Sequence, residues 1–149
     1  MKALNMYFNY EPIPYKDIKT GKGEYTTDFQ KMLLANARKT DESLADINIR
    51  LRGTTACFTD KIVWDDDVLQ TITAGGKIFR GGEQEKISIE DIINATTFPQ
   101  DYDFGMEHPR YICGMSVPPV MIKRVMQRLL ESGLFKYKKE KNDGKEISR

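Results

Sequence analysis

The chain has 149 residues, with 23 Lys and Arg against 22 Asp and Glu and a formal net charge of +1. That length suits one ordinary domain with its own core. The charge balance excludes a polycation that coats nucleic acid with its whole surface, so any nucleic-acid contact must come from a local patch. Hydrophobic residues at 40% and aromatics at 10% exclude a disordered chain. Two cysteines, Cys57 and Cys113, lie far apart without metal spacing, and their sparseness suits a reducing compartment. No apolar run reaches membrane-spanning length and no signal-peptide pattern is present, so a cytoplasmic protein is expected.

Residues Met1 to Lys22 carry three tyrosines and the run Glu11-Pro-Ile-Pro14, which predicts an extended or turn-rich segment able to pack on a partner. Thr26 or Thr27 then caps a predicted helix reaching Lys39, with Phe29, Met32, Leu33 and Ala37 as its apolar stripe. Arg38 and Lys39 would complement the dipole at its end.

The middle of the chain reads as β. Ile47 to Arg52 alternates apolar and polar residues like a half-buried strand, and Gly53 breaks it. Thr54 to Trp64 is rich in β-branched and aromatic residues. Asp65-Asp-Asp67 is a turn, and Val68 to Ala74 reads as the return strand of a hairpin. Gly75-Gly76 and Gly81-Gly82 flank a short strand around Ile78 and Phe79. Ser88-Ile-Glu-Asp91 opens a short helix through about Ala95 in the manner of a capping box. Pro118-Pro119 starts the last helix, which runs to Leu130 with one apolar and one basic face, and Gly133 ends it. Residues 136–149 are charged and poor in hydrophobes, and read as a disordered tail. The expected fold class is α+β, a small antiparallel sheet between Ile47 and Phe79 with flanking helices.

Three segments in order carry a resemblance. The first is Leu69 to Ala74 followed by glycines. The second is Phe98-Pro-Gln-Asp-Tyr-Asp-Phe104, preceded by Lys86 to Glu90. The third is Arg110-Tyr-Ile-Cys-Gly-Met-Ser-Val-Pro-Pro119. Together they resemble the end of a DNA cytosine-5 methyltransferase of the phage or restriction-modification type. That family closes its target-recognition region with T-(I/L)-T-A. It follows with R-x-L-(T/S)-x-x-E, F-P-x-x-Y-x-F and Y-x-x-x-G-N-S-V-P-P, and finishes on a helix. The close likeness spans Val68 to Leu130; a looser one covers Thr26 to Trp64. Two positions depart: Met115 stands where the family has Asn, and Lys86 where it usually has Arg. An amide's hydrogen bonds are beyond a methionine.

The resemblance implies a division of the chain. Residues 1–85 would be the end of the target-recognition region, 86–135 the last two motifs and closing helix, and 136–149 the tail. It implies no complete doubly wound catalytic domain, because the family's F-x-G-x-G loop, catalytic Pro-Cys, Glu-Asn-Val and Q-x-R-x-R are nowhere in the sequence. The cysteine thiolate that attacks the flipped base and the glutamate that stabilises it would come from elsewhere. The chain alone is therefore expected to be inactive, with a catalytic methyltransferase chain or domain as its partner and duplex DNA as substrate. S-adenosylmethionine is expected as cofactor only with that large domain. Gly114, Met115, Ser116 and Val117 are the candidate cofactor wall, and Arg50, Arg52, Lys77 and Arg80 the candidate DNA contacts. No metal is expected. A stand-alone DNA-binding or interaction module of mobile-element origin is the alternative. The apolar stripe of the last helix, centred on Val125 and Leu129, calls for a large domain, a second copy of the chain, or the chain's own sheet to cover it.

Other residues read plainly. Cys57, in Ala-Cys-Phe, is a small buried hydrophobe rather than a nucleophile. His108 is a surface-loop histidine. Asp65 to Asp67 form a solvated turn, since the further oxygen ligands that calcium needs are missing.

Overall fold

The structure, a computed structural model, describes residues 5–133. The expected disordered tail lies outside them. Six helices and two strands follow in order: α1 Tyr15–Ile18, α2 Asp28–Leu34, α3 Leu44–Arg52, β1 Lys61–Val63, β2 Ile78–Arg80, α4 Ile89–Thr96, α5 Pro109–Met115 and α6 Pro119–Glu131.

The class is α+β, as expected, but the sheet is parallel. Lys61, Ile62 and Val63 pair with Ile78, Phe79 and Arg80. A tight hairpin would have produced an antiparallel pair, whereas a parallel pair needs a long crossover. The excursion from Trp64 to Lys77 supplies it. Val68 to Ala74 is therefore not a return strand. It runs as irregular chain, bridging Pro14 through Val68 and laying Leu69 and Ile72 on the core. Among the described residues, antiparallel pairing survives only as isolated bridges, such as Phe79 with Lys86 and Glu24 with Lys86.

Alternation along the two strands divides the core. Ile62 and Phe79 face α2 and α3, where they meet Leu33, Leu34, Leu44 and Ile47. Val63 and Ile78 face the other way, toward Tyr15, Ile87, Ile92, Ile93 and Cys113. The small sheet is thus the middle of three layers. Full burial of one such aliphatic side chain contributes about 1.5–3 kcal/mol.

The segment expected as the first strand is the helix α3. Its start lies upstream of the alternating residues. The Asp46 carboxylate accepts hydrogen bonds from the Ser43 and Glu42 backbone N–H groups at 2.8 and 2.9 Å, which fixes the first turn. Leu44, Ala45, Ile47 and Asn48 are buried at helical spacing, while Ile49 and Leu51 are exposed. The period-2 pattern of Ile47, Ile49 and Leu51 was incidental. Gly53, at φ 70°, closes the helix in the left-handed region.

The other helices keep closer to expectation. Thr27 caps α2 in a reciprocal box with Gln30, but the helix stops at Leu34. Past that point Asn36 bonds back to Met32, and Asp41 takes the Arg38 N–H at 2.7 Å, turning the chain. Ser88 and Asp91 form the expected box at the start of α4.

Asp91 does more than cap. It is fully buried beneath α1 and β2. Its carboxylate accepts from the Tyr15 hydroxyl at 2.6 Å, the Arg80 guanidinium at 2.9 Å, and the Thr20 N–H and hydroxyl at 2.6 and 2.8 Å. Burial alone would raise its pKa. The hydrogen bonds from Tyr15, Arg80 and Thr20 outweigh that and hold it down at about 2.

This depressed carboxyl predicts an acid limb. A group whose folded pKa lies below its unfolded value stabilises the fold above that unfolded value, and the contribution disappears as pH falls through the folded one. Stability at Asp91 should hold at neutral pH and decline between pH 3.8 and about 2. Asp91→Asn, which leaves Arg80 buried without its closest counter-charge, should cost about 3–5 kcal/mol in urea unfolding at pH 7. A variant as stable as the parent would show the network to be dispensable.

Candidate functional site

The segments that carry the resemblance form one connected body. Phe98, Tyr102 and Phe104 pack as an aromatic cluster, with Phe98 and Tyr102 edge-on at 4.9 Å, Tyr102 and Phe104 at 4.9 Å, and Phe98 and Phe104 tilted at 5.7 Å. Phe98 and Phe104 also reach the core beside Cys113. Pro99 starts the tight turn in which the Tyr102 N–H bonds its carbonyl at 3.1 Å. The exposed His108 caps α5, its Nδ1 accepting the Arg110 N–H at 3.2 Å. A helix-capping role replaces the plain loop histidine.

α5, absent from the sequence reading as a helix, holds the third motif against the first. A Cβ on Gly114 would lie 2.5 Å from the Ala74 nitrogen and 2.7 Å from the Thr73 carbonyl carbon. Only glycine lets the helix lie this close to the Thr73-Ala74 backbone. Four residues earlier, the Arg110 guanidinium donates to the Gly76 carbonyl at 3.0 Å. Burial pushes the Arg110 pKa down, with Glu24 the charge that opposes this. The glycine and the arginine thus clamp the end of the Leu69–Ala74 string.

This placement separates the candidate cofactor residues. Gly114 is a packing glycine. The half-buried Ser116 donates its hydroxyl to the Ile112 carbonyl at 2.5 Å. Met115 and Val117 point outward, 68% and 53% exposed. The segment therefore offers apolar atoms and no free side-chain proton to a ligand. S-adenosylmethionine, an ionic and strongly polar cofactor, would find packing here but not the hydrogen bond of the family's amide.

The basic candidates do not form a patch. Arg80 is 2% exposed and every nitrogen of its guanidinium has a partner: the Tyr15 hydroxyl, the Thr20 and Gly21 carbonyls, Asp91, Glu83 and Glu85. It is a core residue, and its assignment to DNA contact is corrected. Its cause is the sheet's alternation, which turns it inward with Ile78. Arg50 pairs with Asp41 at 2.6 Å and the Asn36 carbonyl at 3.0 Å, tying α3 to the end of α2. Arg52 is exposed and lies over the Phe29 ring at 5.2 Å. Lys77 is exposed beside β2, without an ion-pair partner among the described residues.

α6 turns its charged side toward its own chain. Arg124 stacks on Tyr10 at 3.7 Å and Arg128 lies over Phe8 at 5.5 Å, so the aromatic N-terminal segment runs along that side. Ile122, Val125, Met126 and Leu129 share another side by helical spacing. Val125 and Leu129 are half-buried, while Ile122 and Met126 are 48% and 47% exposed.

The remaining residues fall into simple places. Cys57 is half-buried beside the α2–α3 core, and burial raises its thiol pKa, which argues against a nucleophile. Asp65 and Asp66 are paired with Lys19 at 2.9 Å and Lys16 at 3.0 Å across an exposed turn. Among the described residues no group of His, Cys, Asp or Glu is arranged to hold a metal ion, and no helix is long and apolar enough to cross a membrane.

No protein-family model, no curated protein and no solved structure matches the chain.

The Gly114 contact is directly testable. Gly114→Ala must push α5 off the Thr73-Ala74 backbone, and should cost about 1–3 kcal/mol by thermal or urea unfolding. Unchanged stability would mean that the two segments are not held in register by this contact.

Proposed function

We propose that this chain is the C-terminal portion or subunit of a DNA (cytosine-5)-methyltransferase, working in the cytoplasm with a catalytic large domain. The observation that carries the reading is the partly exposed apolar side of α6. Ile122 and Met126 lie open beside the half-buried Val125 and Leu129, and among the described residues no member of α6 is fully buried, which suits a helix that packs on a further surface. It stands directly after the motif segment whose Met115 and Val117 are also exposed. The arrangement supports a returning helix that packs into the large domain beside the cofactor.

In this reading the roles divide by chemistry. The partner supplies the thiolate, the stabilising glutamate and the main S-adenosylmethionine site, and that cofactor supplies the methyl group. This chain contributes apolar contacts from Met115 and Val117 at the cofactor's edge. It also contributes part of the DNA surface, for which Lys77 and Arg52 are the available cations. Duplex DNA is the substrate. Association of two copies through α6 would cover the same stripe and is the competing use of it.

Two outcomes test the proposal. The chain alone, incubated with duplex DNA and labelled S-adenosylmethionine, should transfer no methyl group, since it has no nucleophile motif. Mixed with a methyltransferase large domain that carries F-x-G-x-G and Pro-Cys but lacks these last motifs, it should restore transfer. Ile122→Asp with Met126→Asp should remove that restoration while leaving the circular dichroism of the chain unchanged, because both side chains are exposed. Activity of the isolated chain, or restoration indifferent to the double change, would reject the reading.

A further inference from the structure

A cleft of about 480 Å³ opens at the ends of β1 and β2, beside the loop that precedes β1. It is lined by Phe58, Lys61 and Lys77 together with Thr59, Gln70 and Thr71. Phe58 is 72% exposed. Tyr7 and Tyr25 are as open, at 81% and 73%, but of the three only Phe58 lines this cleft with two lysines.

The loop is built to hold Phe58 there. Cys57 sits at φ 71°, in the left-handed region that a non-glycine residue rarely adopts. The turn closes through the Asp60 N–H on the Cys57 carbonyl at 3.1 Å. Behind it the fully buried Asn48 donates its amide to the Thr54 hydroxyl at 2.7 Å and the Ala56 carbonyl at 3.5 Å, anchoring the loop to α3. The strained residue turns its own side chain to the α2–α3 core and leaves the next one in solvent.

The cations beside the ring are available. Among the described residues neither Lys61 nor Lys77 forms an ion pair. Asp46 and Asp60 act on them only at longer range. The side chains of Thr59, Gln70 and Thr71 also lack hydrogen-bond partners among the described residues. One open aromatic face, two unpaired ammonium groups and three free polar side chains around one nucleotide-sized cleft are the elements that bind a nucleic-acid strand by stacking and phosphate neutralisation.

We infer that the cleft between Phe58, Lys61 and Lys77 binds an unpaired nucleotide of a single-stranded nucleic acid, its base stacked on Phe58 and its phosphates held by the two lysines. A base inside a duplex cannot reach the ring face, because its own neighbours cover both of its faces. The site adds to the methyltransferase reading and does not depend on a catalytic partner, so it is tested on this chain alone.

The experiment measures binding of a fluorescein-labelled twelve-residue oligothymidylate and of a duplex of equal length, by anisotropy from low to moderate salt. The single strand should bind better than the duplex, with a log–log salt slope of about −1.4 for two phosphates. Phe58→Ala should weaken binding about 10-fold at every salt concentration. Lys61→Ala with Lys77→Ala should flatten the slope toward zero. Phe58→Trp should retain binding, and its new surface indole should be quenched by the oligonucleotide. Circular dichroism checks the fold of each variant. Absence of single-strand binding, preference for the duplex, or binding indifferent to Phe58→Ala would overturn the inference. Any of these would leave the complementation of methyl transfer untouched, so failure of one reading is separable from failure of the other.

Discussion

Arg80 and Asp91 meet in the interior, and three separate stretches of chain are organised around them. Arg80 ends β2, Asp91 sits in the first turn of α4, Tyr15 opens α1, and Thr20 and Gly21 follow α1. Taking two charges out of water is costly, and their attraction compensates only when the remaining donors and acceptors are also satisfied. Here they are: the carboxylate has four donated hydrogen bonds besides those of its capping box, and each guanidinium nitrogen has an acceptor. The pair draws Tyr15 in as well, burial and the adjoining Asp91 carboxylate raising the phenol's pKa so that it stays a donor. Such a cluster tolerates few alternative arrangements, since displacing any member strands a buried charge or hydroxyl. We take it as the constraint that sets α1 and α4 against the sheet.

From that constraint the rest of the molecule can be followed outward. With α4 fixed, the chain leaving it builds the Phe98–Tyr102–Phe104 cluster and turns through the His108 cap into α5. α5 then closes over Thr73 and Ala74 through Gly114, and over Gly76 through Arg110. The irregular excursion between the strands is thereby held on both sides, by Pro14 at one end and α5 at the other. α6 leaves this body with Arg124 and Arg128 on the N-terminal rings and with Ile122 and Met126 open to solvent.

Some of this was legible in the residues because the signals were local. Capping chemistry is a matter of three or four neighbouring positions, so Thr27 and Ser88–Asp91 announced their helices, as Pro119 did for α6. The turn at Asp65–Asp67 and the short strand at Ile78–Phe79 were readable for the same reason. α3 was misread because Ile47, Ile49 and Leu51 satisfy period 2 while Leu44, Ala45, Ile47 and Asn48 satisfy the helical period. Which set is buried depends on where α2 and β1 lie. Of the candidate sites, Lys77 and Arg52 remain exposed cations, but Arg80 could not be distinguished from them by type or spacing. The cleft at Phe58 left no readable motif: its members come from three stretches that only the fold brings together.

By itself, then, the order of residues determined what short-range physics decides: helix starts, turns, the α+β mixture, the charge balance and the apolar stripe of α6. The tertiary structure decided what depends on partners distant in sequence. The direction of the sheet followed from the path of the Trp64–Lys77 excursion, because strand pairing is a choice among hydrogen-bond partners that no single strand encodes. The fate of each charged side chain followed in the same way. Arg80 faces inward because β2 alternates and Ile78 shares its side, and it can remain there because Asp91, eleven positions later, is already in place. A buried charge is stable only with its counter-charge, and which residue provides one is a property of the fold.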